Sequence, residues 1–172
     1  MSDCVRHFLL HDSLWLGLLF SGVIIGLLIA GSVWNVELFL RSYPPDIKAK
    51  YGPMSQKSRR QLILFGALVY LSVFAIIVLA TRKLAHSCGA LQFWPTFLND
   101  WTVLNVFNLV DLLILDWLFF VTIQPIFVIL PGTAGLKGYT DYGFHFRGFL
   151  KGIVYLSIVS LVATVVTLVF WG

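Results

Sequence analysis

The chain has 172 residues, 59% of them hydrophobic and only 12% charged, with a net charge of +4. That balance excludes an ordinary soluble domain or a disordered tail and points to an integral membrane protein. The basic excess is no nucleic-acid signal, because it sits in short connections between apolar runs, where membrane lipids are the expected partner and nucleic acid is not.

Four runs are long and apolar enough to cross a bilayer: about 13–36, 62–80, 103–130 and 149–171. The shortest, 62–80, still matches a hydrocarbon core of ~30 Å at 1.5 Å rise per residue. No soluble domain fits between them. The expected architecture is therefore all-α, a single membrane-embedded domain over 1–172, folded as a compact bundle of four transmembrane helices. The connections 40–61 and 131–148, with the start of the last span, carry Arg41, Lys48, Lys50, Lys57, Arg59, Arg60, Lys137, Arg147 and Lys151. The opposite side holds only Arg6, Arg82 and Lys83. By the positive-inside rule both basic connections are cytoplasmic and both termini lie outside. Trp15, Trp94, Trp101 and Trp171 then mark the outer ends of spans, with Tyr43, Tyr51, Tyr139 and Tyr142 on the inner side.

The first span reads as a retained helix, because Met1–Asp12 holds two acids against one arginine and the apolar run outlasts a signal core. The absence of organelle-targeting motifs fits a multi-pass protein of a prokaryotic cell membrane. Gly22, Gly26 and Ala30 recur at four-residue intervals, a spacing that lets helix backbones approach closely. The stripe is expected to pack against a neighbouring span. Its alternative use is a face for a second copy or a partner membrane subunit.

Before the first span, Cys4, His7 and His11 share one helical face. With His86 and Cys88 from the outer connection between the second and third spans they could form a zinc or copper site. A Cys4–Cys88 disulfide is the competing arrangement, and unconnected residues the third. At the inner end, Glu37 and Arg41 have the i, i+4 spacing of a local ion pair. Pro44, Pro45, Gly52 and Pro53 punctuate the first basic connection. The second span offers little polar chemistry beyond Tyr70 and Ser72 and is expected to face lipid.

The third span carries Asp111 and Asp116, and a carboxylate at such depth costs at least ~2.5–3.5 kcal/mol. At 100° per residue, Asn105, Asn108, Asp111, Asp116 and Thr122 fall in one arc, with Trp101 at its outer end. Such an arc would line a vestibule entered from outside, with Asp116 innermost. Two roles compete: a permeation path for a cation or polar solute, or hydrogen-bonded acids joining the spans. Pro125 and Pro131 should kink or end this helix, with Gln124 satisfying freed carbonyls. Ser157, Ser160, Thr164 and Thr167 on the last span could supply donors to the aspartates.

The connection 131–148 interleaves glycine with aromatics and holds Tyr139, Asp141, Tyr142, His145 and Arg147. Read as an interfacial loop, it is the place for a headgroup, phosphate or partner contact. No Walker loop, GxSxG elbow, HExxH or GxGxxG pattern is present, so no catalytic residues are assigned and no cofactor is implied. The leading reading is a small four-span membrane protein without catalytic activity of its own. It would conduct or transport a small cation or polar solute along the third span, or serve as an accessory subunit. The alternative is a lipid-headgroup-binding or lipid-modifying enzyme built on the glycine- and aromatic-rich loop.

Overall fold

The computed structural model describes residues 2–89 and 91–171. Five helices organise it: α1 Asp3–Trp34, α2 Pro45–Tyr51, α3 Gln56–Cys88, α4 Phe93–Ile123 and α5 Tyr142–Trp171. All but α2 are long and apolar enough to cross a membrane, and no strand occurs among the described residues. α4 is central and packs against α1, α3 and α5. One end of the bundle carries the termini and the α3–α4 turn. The other carries the two basic connections and is called the basic face below.

The helices outrun the spans expected from hydropathy. α1 has 32 residues, which at 1.5 Å each is ~48 Å. Its ends are set by chemistry more than by apolarity. The Ser2 hydroxyl accepts from the Val5 amide, and beyond the other end the Asn35 carboxamide accepts from the Glu37 amide. α3 begins at Ser55, whose hydroxyl accepts from the Ser58 amide, and ends at Gly89 with φ of 76°. α4 starts at Phe93, ten residues before the expected 103, because Pro95 sits in its first turn, where its missing N–H costs nothing. It stops at Ile123, before Pro125, on Gln124 in the left-handed conformation (φ 49°). The Gln124 side-chain carboxamide donates to the Val121 carbonyl, the compensation a broken helix needs. α5 begins at Tyr142, not 149, because Asp141 caps it: its carboxylate accepts from the Phe144 amide at 2.8 Å.

The stripe Gly22, Gly26 and Ala30 does not pack internally. Gly22 and Gly26 face open space, and all three residues are exposed. The close approaches on α1 are made by Gly17, where a Cβ would meet Val106, and Gly31, where it would meet Phe65. Glycine spacing alone does not reveal which neighbour presents a bulky side chain, hence the difference. α3 turns most of its apolar surface outward, as expected of a lipid-facing span.

Two apolar cores result. The first, between α1, α3 and α4, holds Phe20, Ile24, Ile76, Ala80, Val103 and Leu104. The second lies at the basic face, where the connections fold onto each other through Leu40, Tyr43, Ile47, Phe120, Leu130 and Tyr139. Tyr43 donates to the Val128 carbonyl at 2.7 Å, and the Gly138 amide donates to Asp46. Complete burial of Ile47 and Leu130 contributes ~1.5–3 kcal/mol each. These connections are thus a built cap, folded on each other over one end of the bundle.

Glu37 belongs to this cap and does not pair with Arg41. Its carboxylate accepts from the Ser55 amide, the Ser55 hydroxyl (2.8 Å) and Ser58. Three donors at the start of α3 suit a buried carboxylate better than one exposed guanidinium, and they draw the acid inward. Burial pushes the Glu37 carboxyl up, but the bonds from Ser58 and Ser55 outweigh it and hold the group below its ordinary value.

Candidate functional site

The last 12 residues of α4, Leu112–Ile123, form a π-helix, in which each N–H reaches back five residues instead of four. On an α-helix, positions five apart are rotated by ~140° relative to each other. The wider π turn brings Asp116 back toward the side occupied by Asp111, and both acids line one cavity of about 440 Å³. That cavity lies between the bundle and the cap. The end of α1 contributes Ser32, the first connection Ser42 and Tyr43, α4 Asn108 and both aspartates, and α5 His145 and Gly148. Its walls are otherwise apolar, with Phe39, Phe119, Phe120, Phe127, Phe144 and Phe149 among aliphatic side chains such as Ile29 and Leu115.

His145 is 5% exposed, and its Nδ1 lies 2.8 Å from Asp116 Oδ1. Nδ1 thus faces the carboxylate at contact distance, and Nε2 stays buried without a partner. The imidazole is held on the Phe120 ring, with centroids 4.7 Å apart, and meets Phe144 edge-on. Asp111 takes no hydrogen bond from any side chain among the described residues, so the cavity keeps one unpaired acid beside the paired one. Burial, with Tyr139 close by, pushes the Tyr43 phenol above its ordinary value, and Tyr43 stays neutral. Asn108 donates to the Phe149 carbonyl at 3.2 Å across Gly152, where any Cβ would strike its amide. This contact sets the spacing of α4 and α5 beside the acids.

The polar arc expected along the third span is broken up. Trp101 donates to Ser157, and Asn105 donates to the Trp101 carbonyl on its own helix. Thr122 turns to the Trp117 carbonyl and the Tyr142 hydroxyl. Only Asn108, Asp111 and Asp116 line the cavity, and the buried pair Val103 and Leu104 separates them from the terminal end. The site is set at the basic face, the reverse of the outward vestibule expected, because Trp101 and Asn105 bond elsewhere and the two basic connections fold over the opposite end of the arc. The hydroxyls of α5 give the aspartates no donor: Ser157 and Ser160 bond their own i−4 carbonyls.

The glycine-rich loop residues also separate. Tyr139 is buried, its hydroxyl accepting from the Leu130 amide and paired with Thr133, so it is part of the cap core. Asp141 is a helix cap, 3.8 Å from the exposed Arg147. Tyr142 is exposed, and only His145 reaches the cavity. The helix start at Tyr142 explains this, since His145 on a helical turn points into the bundle.

At the terminal end Cys4 and Cys88 are joined, with Cα atoms 5.8 Å apart. Their sulfurs are thereby lost as thiolate ligands. His7 and His11 stack with centroids 5.6 Å apart and His86 is exposed; no metal-holding group of His, Cys, Asp and Glu occurs among the described residues. Behind the disulfide lies a polar group that hydropathy placed outside the third span: Ser13, Thr81, Thr96, Asn99 and Asp100, all buried. Pro95 three residues into α4 was the available signal that Asn99 and Asp100 would be helical and inside.

The fold and site define a small all-helical protein with four helices long and apolar enough to span a membrane, and an acidic, aromatic cavity under a folded cap. No protein family, no characterised protein and no solved structure matches the chain.

Proposed function

We propose that the cavity binds a small organic cation, taken up from the basic face, as the substrate site of a four-span permease. The observation carrying this reading is the pairing of two carboxylates with six phenylalanine rings and Tyr43 in a cavity of about 440 Å³. Aromatic faces attract cations by ~0.5–2 kcal/mol each, more when desolvated. The volume lies within the ~300–1,000 Å³ of small-molecule sites. Asp111 supplies the counter-charge, and Asp116, partnered by His145, supplies a second carboxylate.

The basic residues of the first connection and the start of α3 argue against an anion site, since Arg41, Lys50, Lys57, Arg59 and Arg60 are exposed and none lines the cavity. They suit anionic headgroups at the membrane surface, each adding ~1 kcal/mol of attraction. The test is calorimetric titration of the protein in lipid nanodiscs with tetramethylammonium. Saturable binding in the wild type, lost in Asp111→Asn and weakened in Asp116→Asn, supports the reading. Heat that is equal in both variants and the wild type rejects it.

A second reading, association with another membrane subunit or a second copy, is favoured by the outward-facing Gly22, Gly26 and Ala30. Catalysis on lipids has less support, because the Asp116–His145 pair has no nucleophile bonded to Nε2.

A further inference from the structure

The two aspartates of the cavity lie five positions apart on α4, which separates their backbone positions by at most ~7.5 Å along the helix axis. Asp116 Oδ1 faces His145 Nδ1 at 2.8 Å, which leaves Oδ2 as its free oxygen. Among the described residues neither this oxygen nor those of Asp111 is both buried and unpartnered, in contrast to Asp100 Oδ2. The free oxygens of both acids are therefore reached from the open space of the cavity, which both residues line.

Between the acids, positions 112–115 are Leu, Leu, Ile and Leu, and Leu112 and Leu115 line the same cavity. This stretch of wall thus runs acid, aliphatic, acid. No lysine or arginine lines the cavity, so no permanent cation of the chain offsets either carboxylate there. One bound monocation would offset one acid and leave the other to a proton, whereas one dication offsets both.

A short primary diamine repeats that order of groups, with an ammonium at each end of an alkyl chain. At ~1.25 Å of advance per bond, extended 1,4-diaminobutane holds its nitrogens ~6 Å apart, within the axial separation of the two aspartates. Each ammonium brings three N–H donors to its carboxylate, and such charge-assisted bonds are the strong ones.

We propose that the cavity takes a primary diamine of about four carbons, with one ammonium on Asp111 and the other on Asp116 Oδ2. The methylenes would lie against Leu112 and Leu115. His145 is a positioning residue, since by occupying Oδ1 it leaves Oδ2 for the ligand. The proposal rests on the cation site described above and narrows its ligand to a dication.

The experiment is calorimetric titration of the full chain in phosphatidylcholine nanodiscs at about pH 7, where both ligands are protonated. It compares 1,4-diaminobutane with n-butylammonium, which has the same chain and one charge. The diamine should bind with a Kd lower by about tenfold or more, because the second ionic contact forms within one molecule. In Asp116→Asn, which keeps an acceptor for His145, the two ligands should bind within about threefold of each other. Should that variant not fold, the wild-type comparison decides alone. Equal affinities in the wild type overturn the proposal; saturable n-butylammonium binding would then leave the monocation reading standing, with a proton on the second acid. A diamine advantage that persists in Asp116→Asn overturns it as well, because the second contact would lie elsewhere. No saturable binding of either ligand or of tetramethylammonium overturns both this proposal and the cation site beneath it.

Discussion

His145 Nδ1 stands 2.8 Å from Asp116 Oδ1, and each residue reaches that position through a departure from ordinary helix geometry or span limits. Asp116 rides on a π-helical segment, and His145 belongs to a helix whose start is fixed by the Asp141 cap. An Nδ1–H at that distance donates to the carboxylate, and the Phe120 ring fixes the orientation of the imidazole. Replacing Asp116 by Leu leaves that buried N–H without an acceptor. The expected loss is ~1–3 kcal/mol of stability, read by denaturant unfolding in detergent. Nitrogen NMR of histidine-labelled protein should show His145 protonated on Nδ1 in the wild type. Finding the proton on Nε2 there would rule out the pairing.

Glu37 gives the fold an acid-sensitive joint outside the spans. Its folded-state carboxyl is held below the ordinary value of 4.5 by Ser58 and Ser55, against the opposing effect of burial. A depressed carboxyl contributes stability that is fully present above the unfolded value and is lost as pH falls through the folded one. Stability should therefore decline as pH drops below about 4.5, where the unfolded chain takes up the proton first. Glu37→Gln should cost ~1–3 kcal/mol at neutral pH, since it trades charge-assisted bonds for neutral ones. Its unfolding midpoint should also change less between pH 5 and pH 3. A variant with the wild-type acid profile would remove Glu37 as the source.

Much of this architecture is legible in residues, and the losses have definite physical causes. Hydropathy identifies the four spans, because about 20 apolar residues are a length requirement any crossing helix must meet. It misplaces their ends, because Ser55, Gly89, Asp141 and Pro95 act through caps and first-turn geometry that apolarity does not record. Asp111 and Asp116 stand out in the sequence as expensive charges on one arc of the wheel, while the π segment that narrows their angle and the folded connections that close their cavity leave no periodic signal. His145 is visible as a titratable residue near the basic face, but its partner on α4 is a tertiary contact with no local signature. Asp100 is missed because the flanking Trp94, Pro95 and Asn99 lower the apolarity of a stretch that is nevertheless buried.

The Cys4–Cys88 bond ties the start of α1 to the end of α3 across 84 positions of sequence. A cross-link closing a loop of that length restricts the unfolded chain by ~2–4 kcal/mol. Thiol titration of the denatured protein should find no free thiol before reduction and two after it. Reduction, or the paired change Cys4→Ser with Cys88→Ser, should lower the unfolding midpoint. It should leave the distant Asp116–His145 pair intact. Two titratable thiols in the unreduced protein would exclude the bond.

The glycines of α1 divide into two groups with opposite expected behaviour. A Cβ at Gly17 would lie 2.7 Å from Val106 Cβ, and one at Gly31 would lie 2.7 Å from the Phe65 ring. Val106 is β-branched and stiff, so it cannot yield, and Gly17→Leu should cost several kcal/mol or prevent folding. Gly31→Leu should be milder, because the Phe65 ring can rotate away. Gly22 and Gly26 meet nothing, so Leu at either position should leave the monomer's unfolding midpoint unchanged or slightly raised, as leucine is the better helix former. What these two changes should remove is association through that face, read as oligomeric mass in detergent by light scattering. Loss of the fold in Gly22→Leu would mean that the stripe is buried against another part of the chain, and the outward placement of that face would then be wrong.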